Sequence, residues 1–369
     1  MASLVVTEAQ GAIISQTTLL GFLAESARTN LCLRSQEFDN ATWTKNNTTV
    51  TAMAAVAPNG YQTADRLVEA ALLLTHNVEQ SITKAASALA YTFTVFLKSG
   101  EKTKARLYVD DGAGNGCHAD VNMGAGTIGA AAGDGTAFTV LLSDITSEIN
   151  CWYRAELMFK TNTATTLRFR VAILDASDQE VYLGVITDGI YVWQAQIEQR
   201  EYSTSIIPTT SATVTRNLDR LTFPIKNINS QAGGLYYESR ASLGKASTSG
   251  AGVFGYSLNM NTGWVAQFGG VNGPEIRSQD GTSLSAFTSG SSFKTQRKVG
   301  FAWGFLYRIF MKDGLISARA AFDGLLFALS ETQIIVGSDG ATAIDGEICN
   351  VIIWPRAIQL SYLKGLTSR

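Results

Sequence analysis

Residues Asp188 to Asp219, DGIYVWQAQIEQREYSTSIIPTTSATVTRNLD, constrain this chain more than any other stretch. The run opens with Tyr191, Trp193, Ala195 and Ile197 on one face and Val192, Gln194, Gln196 and Glu198 on the other. Successive side chains of an extended chain point to opposite sides, so this alternation predicts a half-buried antiparallel strand. After Gln199, the charges of Arg200 and Glu201 and then Ser, Thr and Pro208 end the pattern and predict an extended connector. The strand reads as the last of one β-domain, and the connector as the crossing to a second.

The same period recurs along the chain. Tyr91, Phe93, Val95 and Leu97 share a face before Lys98-Ser99-Gly100 closes the strand. Arg106-Leu107-Tyr108-Val109 runs into the turn Asp110-Asp111-Gly112. Trp152, Arg154, Glu156 and Met158 alternate with Tyr153, Ala155, Leu157 and Phe159. Leu167, Phe169, Val171 and Ile173 alternate with Arg168, Arg170, Ala172 and Leu174. Short alternating strands with frequent turns predict an antiparallel β-sandwich, a jelly roll, over residues 25–216. Residues 217–369 read as a second all-β domain. Its strands include Leu235–Ser239, Val253–Leu258, Trp264–Phe268 and Tyr307–Lys312, the last entering an Asp313-Gly314 turn. Near the end a strand over 345–354 is stopped by Pro355, and a short helix follows at Ser361–Leu366. With 369 residues, two domains are the expected count, because single cores divide beyond ~250–300 residues. The fold class is therefore all-β, two tandem sandwiches behind a short N-terminal arm (1–24). That arm is apolar without a sustained period, and Leu19, Leu20, Phe22 and Leu23 are its docking candidates. The alternative is a first strand that completes the first domain.

Two segments carry a resemblance. Glu25-Ser26-Ala27-Arg28-Thr29-Asn30-Leu31 with Ser35–Trp43 is one; Tyr191–Glu198, Thr204–Thr209 and Val214-Thr215-Arg216 are the other. Together they resemble segments that recur in tail-fibre, head-fibre and other appendage proteins of tailed bacteriophages. Gln194 stands where that family usually has Gly, and Arg200-Glu201 where it has small residues. The C-terminal run Gly346-Glu347-Ile348 … Val351-Ile352-Ile353-Trp354-Pro355-Arg356-Ala357-Ile358 is similar to the closing signature of laminin-G/concanavalin A-like lectin sandwiches. The resemblance implies a virion structural protein whose first domain is carbohydrate-binding-module-like. It also implies self-association as a trimer, contact with other virion proteins, and attachment to host-surface polysaccharide. A capsid decoration or tail adaptor, and a glycan-cleaving tailspike, are the alternatives.

Composition narrows the classes. A net charge of −2 supplies no basic field for nucleic acid. No apolar run approaches the ~20 residues that span a bilayer, and the N-terminus lacks a basic, apolar leader. The expected route is synthesis in the host cytoplasm and residence in the virion. Cys32, Cys117, Cys151 and Cys349 are far apart and unpaired in spacing, which predicts buried thiols rather than disulfides or zinc. No 20–50-residue repeat marks a β-helix.

Chemistry is thin. His76 and His118 are the two histidines, and no nucleophile–base motif or paired-carboxylate motif stands out among 31 acidic residues. The chain is read as a non-enzyme with no cofactor. Sugar rings stack on exposed aromatic faces, so Trp264, Trp303, Tyr256 and Trp43 are the candidate platforms, although an aromatic on a strand is more often core. Trp152 and Trp193 are assigned to the core. Asp110, Asp111, Asn115 and Asp120 are oxygen donors on one turn, a weak calcium candidate against the plain preference of turns for Asp and Gly.

Overall fold

Period-2 patterning governs the chain, and the fold follows it: strands throughout, with one 3-10 turn (Ile149–Cys151) and one α-helix (Leu360–Thr367) among the described residues. A computed structural model describes residues 22–135, 138–219, 221–224, 229, 231–241, 251–255, 264–268, 275–277, 283–285, 297–304, 307–312, 314–321, 333–336, 346–354 and 356–368. The chain divides at Ala27/Arg28 and again at Arg216/Asn217.

The first unit, Arg28–Arg216, is a sandwich of two antiparallel sheets. One sheet runs in the order Thr127–Ile128, Gly116–Asn122, Lys104–Asp110, Thr166–Ile173, Leu73–Thr83, Val181–Leu183, with Ala132–Asp134 and Thr44–Asn46 paired at its sides. Arg106, Arg168 and Arg170 project from its outer face, and we call it the arginine sheet. The other, the tryptophan sheet, runs Thr139–Ser147, Tyr153–Lys160, Ala90–Ser99, Gly189–Glu198, Ala64–Glu69, Thr48–Ala55. The inner faces meet in one core. Leu107, Val109, Phe169 and Val171 come from the arginine sheet, and Phe93, Val95, Leu157 and Phe159 from the tryptophan sheet. All are the residues that the alternation placed together.

The Gly189–Glu198 strand departs from that simple alternation. Ile190, Val192, Ala195 and Ile197 face the main core, while Trp193 packs in a separate cluster on the outer face with Phe96 and Trp152, against which Tyr191 also lies. The expected face of Tyr191, Trp193, Ala195 and Ile197 is thus split. The cause is a bulge: the pairing with Ala90–Ser99 shifts between Trp193 and Gln196, and Gln194 adopts φ 49°. An extra residue in one strand flips the inside–outside phase of everything after it. A left-handed residue at such a bulge favours glycine, the residue usual here in the family the segment resembles.

The stretch after this strand also differs from the expected crossing. Most of it folds back onto the first unit. Glu198, fully buried, accepts hydrogen bonds from the Thr204 N–H (3.0 Å), the Thr204 hydroxyl (2.7 Å) and Gln196 Nε2 (2.8 Å). The Ile207 N–H donates to Gln196 Oε1, and Thr209 exchanges hydrogen bonds with Ser35 and donates to the Cys32 carbonyl. Val214–Arg216 then pairs with Arg28–Asn30. The two segments that carry the phage resemblance are therefore the two halves of one clasp, closed on the last long strand.

Among the described residues the second unit contains two six-stranded antiparallel sheets. One runs Phe22–Ala24, Gly346–Trp354, Gly233–Ala241, Arg297–Gly304, Tyr307–Lys312, Leu315–Ala321; the other runs Leu221–Pro224, Gln333–Val336, Ala251–Gly255, Trp264–Phe268, Glu275–Arg277, Ser283–Ser285. The expected C-terminal strand and helix form, and Leu363 of the helix packs with Tyr236, Ala302, Ile309 and Met311 on one sheet face. Phe22–Ala24, the end of the expected arm, is an edge strand here, with Phe22 opposite Ile348. Glu25 belongs with it, because its N–H reaches Asp219 Oδ2 and its carbonyl accepts the Asp219 N–H.

Candidate functional site

The outer face of the tryptophan sheet is covered by two chain segments. The 199–207 stretch crosses Thr92 and Glu156, with the Thr92 hydroxyl donating to the Arg200 carbonyl and the Ser203 hydroxyl to Glu156. The loop between the Thr48–Ala55 and Ala64–Glu69 strands covers a second part, with Ala57 of the loop and Ala64 at the strand's start packed on Phe96, Trp152 and Trp193. Trp152 Nε1 donates to the Val56 carbonyl at 3.0 Å, so the platform also holds the loop's backbone.

That loop is closed by its own hydrogen bonds. The Gly60 N–H donates to the Ala57 carbonyl (2.9 Å), the Ala57 N–H to the Tyr61 carbonyl (2.8 Å), and the Tyr61 N–H to Asn59 Oδ1 (3.0 Å). Pro58 presets the turn, and Gly60 supplies the φ of 86° that it needs. At the strand side Met53 sits in a bulge at φ 51°, its N–H bound to Asp65 Oδ1 and its carbonyl to Gln62 Nε2. Asp65 is buried; burial pushes its carboxyl pKa up, against the opposing pull of the N–H groups of Met53 and Phe38.

The loop leaves one aromatic ring outside: Tyr61 is 71% exposed, beside exposed Asn59 and Gln62 and with Met53 62% exposed. A flat ring on a rigid turn, with amides around it, is the arrangement that binds the apolar face of a sugar ring while amides meet its hydroxyls. Backbone order in the loop is already established, so little conformational entropy remains to be lost on binding.

The aromatics singled out from sequence lie elsewhere. Trp43 is 1% exposed, stacked on Phe38 at 4.5 Å and edge-on to Phe169, with Nε1 donating to the Arg34 carbonyl. Trp303 is likewise 1% exposed, its Nε1 on the Asn229 carbonyl, and it lies so close to Gly233 that any Cβ there would collide with the indole. Both are core residues, and neither is a sugar platform. Trp264 lies in the Trp264–Phe268 strand with its side chain outside the described residues, as is all of Tyr256. Of the docking candidates, Leu19 and Leu20 lie outside the described residues, Phe22 is described in backbone only, and Leu23 is 39% exposed. Trp152 and Trp193 are buried as expected, though on the outer face and beneath the loop. Tyr61 was missed. Its turn is written in Pro58-Asn59-Gly60.

The calcium candidates are occupied by other partners. Arg168 Nε donates to both Asp110 oxygens (3.0 and 3.1 Å) with a terminal nitrogen 2.9 Å from Oδ1, and Arg106 meets Asp120 in a bidentate pair, one nitrogen to each oxygen, at 2.6 and 2.8 Å. Asp111 accepts the N–H groups of Ala113 and Asn115 and the side-chain amides of Asn115 and Asn162. Burial raises its pKa, but these donors outweigh burial and hold it at about 2. The four residues therefore do not converge on a cation, and among the described residues no cluster of three His, Cys, Asp or Glu is placed to hold a metal.

Asp110 and Asp120 belong instead to cross-strand rows on the arginine sheet. One row is Glu79, Arg170, Tyr108, His118; the next is Ser81, Arg168, Asp110, Gly116, Asp134; and a third, which holds Asp120, is Asn77, Ala172, Arg106, Asp120. The Arg170 guanidinium lies 3.9 Å over the Tyr108 ring, His118 stacks on Tyr108 at 6.0 Å, and His118 Nδ1 meets Asp134 at 2.9 Å. Burial, then the nearby Asp134 and Asp110, push the Tyr108 hydroxyl up to about 12. The Arg170 guanidinium thus covers one face of the Tyr108 ring. Opposite-charge and aromatic pairs of this kind stabilise a sheet.

Comparison with known proteins adds little. No family model matches the chain, and no curated protein matches it. Among solved structures, domains LG4-5 of the mouse laminin alpha1 chain align over 96% of this chain and 95% of that one, at 12% identity and a TM-score of 0.25. The all-β class accordingly rests on the strands described above.

Proposed function

We propose that this chain is a non-enzymatic virion protein of a tailed bacteriophage, of the tail-fibre or head-fibre type, whose first sandwich attaches to host-surface glycan. The resemblance of the two clasp segments supports the phage origin. The observation that carries the attachment role is Tyr61, exposed on a turn that its own hydrogen bonds and Trp152 hold rigid. In this reading the clasp is architecture: its side chains are consumed in closing the sandwich. Recognition falls to the loop at the sandwich surface.

A second reading, a capsid decoration or tail adaptor, is favoured by the exposed leucines at 72–74, which suit protein contact better than sugar. An array of bacterial polysaccharides probed with full-length protein and with the full-length Tyr61→Ala variant separates the two. Saturable binding by the first and not by the second supports glycan attachment. No binding by the assembled wild type moves the assignment to decoration, and release of reducing ends from a bound polysaccharide would move it to a cleaving spike.

A further inference from the structure

The Tyr61 loop carries a pattern of charge and hydrogen-bonding groups that discriminates between kinds of glycan. Residues 46–64 contain no Asp, Glu, Lys, Arg or His. The charged side chains that border this stretch are already engaged. Lys45 donates to the carbonyls of Asp39 and Asn40, and buried Asp65 accepts the N–H groups of Met53 and Phe38. Arg66 pairs with Glu101. Arg154, whose guanidinium lies over Phe96 of the platform, donates to the Thr204 carbonyl and sits 3.5 Å from Glu156.

The amides beside Tyr61 are fixed in their sense by the backbone. The Tyr61 N–H takes Asn59 Oδ1 as its acceptor (3.0 Å), which leaves the Asn59 Nδ2 donors over. The Met53 carbonyl takes Gln62 Nε2 as its donor (2.9 Å), which leaves Gln62 Oε1 as an acceptor. Both side chains are exposed, and among the described residues neither leftover group has a hydrogen-bond partner. A backbone partner that can only donate, or only accept, rules out the flipped amide in each case. Tyr61 therefore stands in the chain between a free donor group and a free acceptor. Met53 and Val56, also exposed, add apolar surface to the loop.

We infer that this loop selects a neutral sugar unit and rejects an acidic one, an inference that rests on the glycan reading above and narrows it. A hydroxyl both donates and accepts. Two hydroxyls of one sugar thus satisfy Asn59 Nδ2 and Gln62 Oε1 together, while the apolar face of the ring lies on Tyr61. A uronate carboxylate or a phosphodiester only accepts. It gains from the Asn59 donors but sets its charge against Gln62 Oε1. No cation in the loop offsets its removal from water beside Met53 and Val56, and burying an unpaired charge is costly.

The test is an array of neutral and acidic bacterial polysaccharides, probed with the full-length protein at about 50 and about 500 mM NaCl. Full-length Tyr61→Ala and Gln62→Met are probed beside it. The polymers that bind should carry neutral units, and their affinity should change less than about twofold between the two salts, because no ion pair forms. Gln62→Met, which removes the free acceptor, should weaken binding roughly threefold to tenfold. Where a bound polymer also carries uronates, reduction of its carboxylates to hydroxymethyl groups should leave binding intact. The salt and reduction arms need no variant, so they decide if Gln62→Met lowers Tm. Binding confined to acidic polymers, lost at high salt or on carboxyl reduction, or undiminished in a stable Gln62→Met, overturns the inference and leaves glycan attachment standing. Binding to no polymer, or equal binding by Tyr61→Ala, overturns the glycan reading itself and this inference with it.

Discussion

Replacing Asn30 with alanine should cost the first unit more than any other single change in the clasp. Asn30 is fully buried, and its amide joins four backbone groups from three segments. Nδ2 donates to the carbonyls of Ala195 (3.2 Å) and Ile207 (2.9 Å), and Oδ1 accepts the N–H groups of Cys32 (3.0 Å) and Ile197 (3.1 Å). Each buried polar group left without a partner costs roughly 1–3 kcal/mol. A water entering the space vacated by the amide re-satisfies part of the set, which brings the expected loss to about 4 kcal/mol. For a unit of this size each kcal/mol lowers Tm by about 2–4 °C, so the shift should be on the order of 8–16 °C. Calorimetry of the full chain is the assay, because two units give two transitions and only that of the first should move. Thr29→Ala is the internal control. Thr29 shares the three-residue strand, but its hydroxyl bonds only the exposed Thr215 hydroxyl at 2.7 Å, a contact worth under about 1 kcal/mol. If Asn30→Ala costs no more than Thr29→Ala, the clasp does not hold the sandwich closed and the reasoning fails.

Three further outcomes follow from the same structure. At Gln194 the left-handed backbone costs about 1 kcal/mol, offset by side-chain bonds to Gln36 (2.8 Å) and to the Ile207 carbonyl (3.3 Å). Gln194→Gly should therefore lie within ~1 kcal/mol of wild type and Gln194→Ala about 2 kcal/mol below it; the reverse order in denaturant titrations would refute the bulge assignment. Asp111, held at about 2 in the fold, contributes stability that is present above its ordinary carboxylate range and lost as pH falls toward 2. Melts at pH 5 and pH 2.5 should thus show wild type losing more than Asp111→Asn, and equal losses would remove the loop network from consideration. Burial pushes the Cys117 thiol up to about 12 and raises that of Cys32, whereas Cys151 is exposed. Brief alkylation of native protein at pH 8, read by peptide mass, should mark Cys151 and spare the other two; modification of Cys117 would contradict the core packing.

How far the fold was legible depends on the range of the interaction that decides it. Leu167, Phe169, Val171 and Ile173 could be read because a strand's own geometry assigns their face, and the same holds for Tyr91 through Leu97. The phase flip at Trp193 could not, since glutamine rather than glycine occupies the left-handed position and nothing local announces a bulge. Trp43 was a platform candidate as an aromatic alone; its burial against Phe169 is set by a residue far away in sequence. The arginine rows depend on register between three strands, so Asp110 and Asp120 looked available to a cation when Arg168 and Arg106 already hold them. Tyr61 was half legible. Its turn is written in Pro58-Asn59-Gly60, while the rigidity beneath it comes from Trp152 and Trp193, which no local pattern connects to it.

Attachment through the Tyr61 loop is the central claim. Its most direct test is the dissociation constant of the full-length protein for a polysaccharide selected by array, measured beside Tyr61→Ala at matched Tm. Loss of a stacked aromatic anchor should cost about 1.5–3 kcal/mol, a weakening of roughly tenfold to a hundredfold. Equal constants for the two proteins would contradict it.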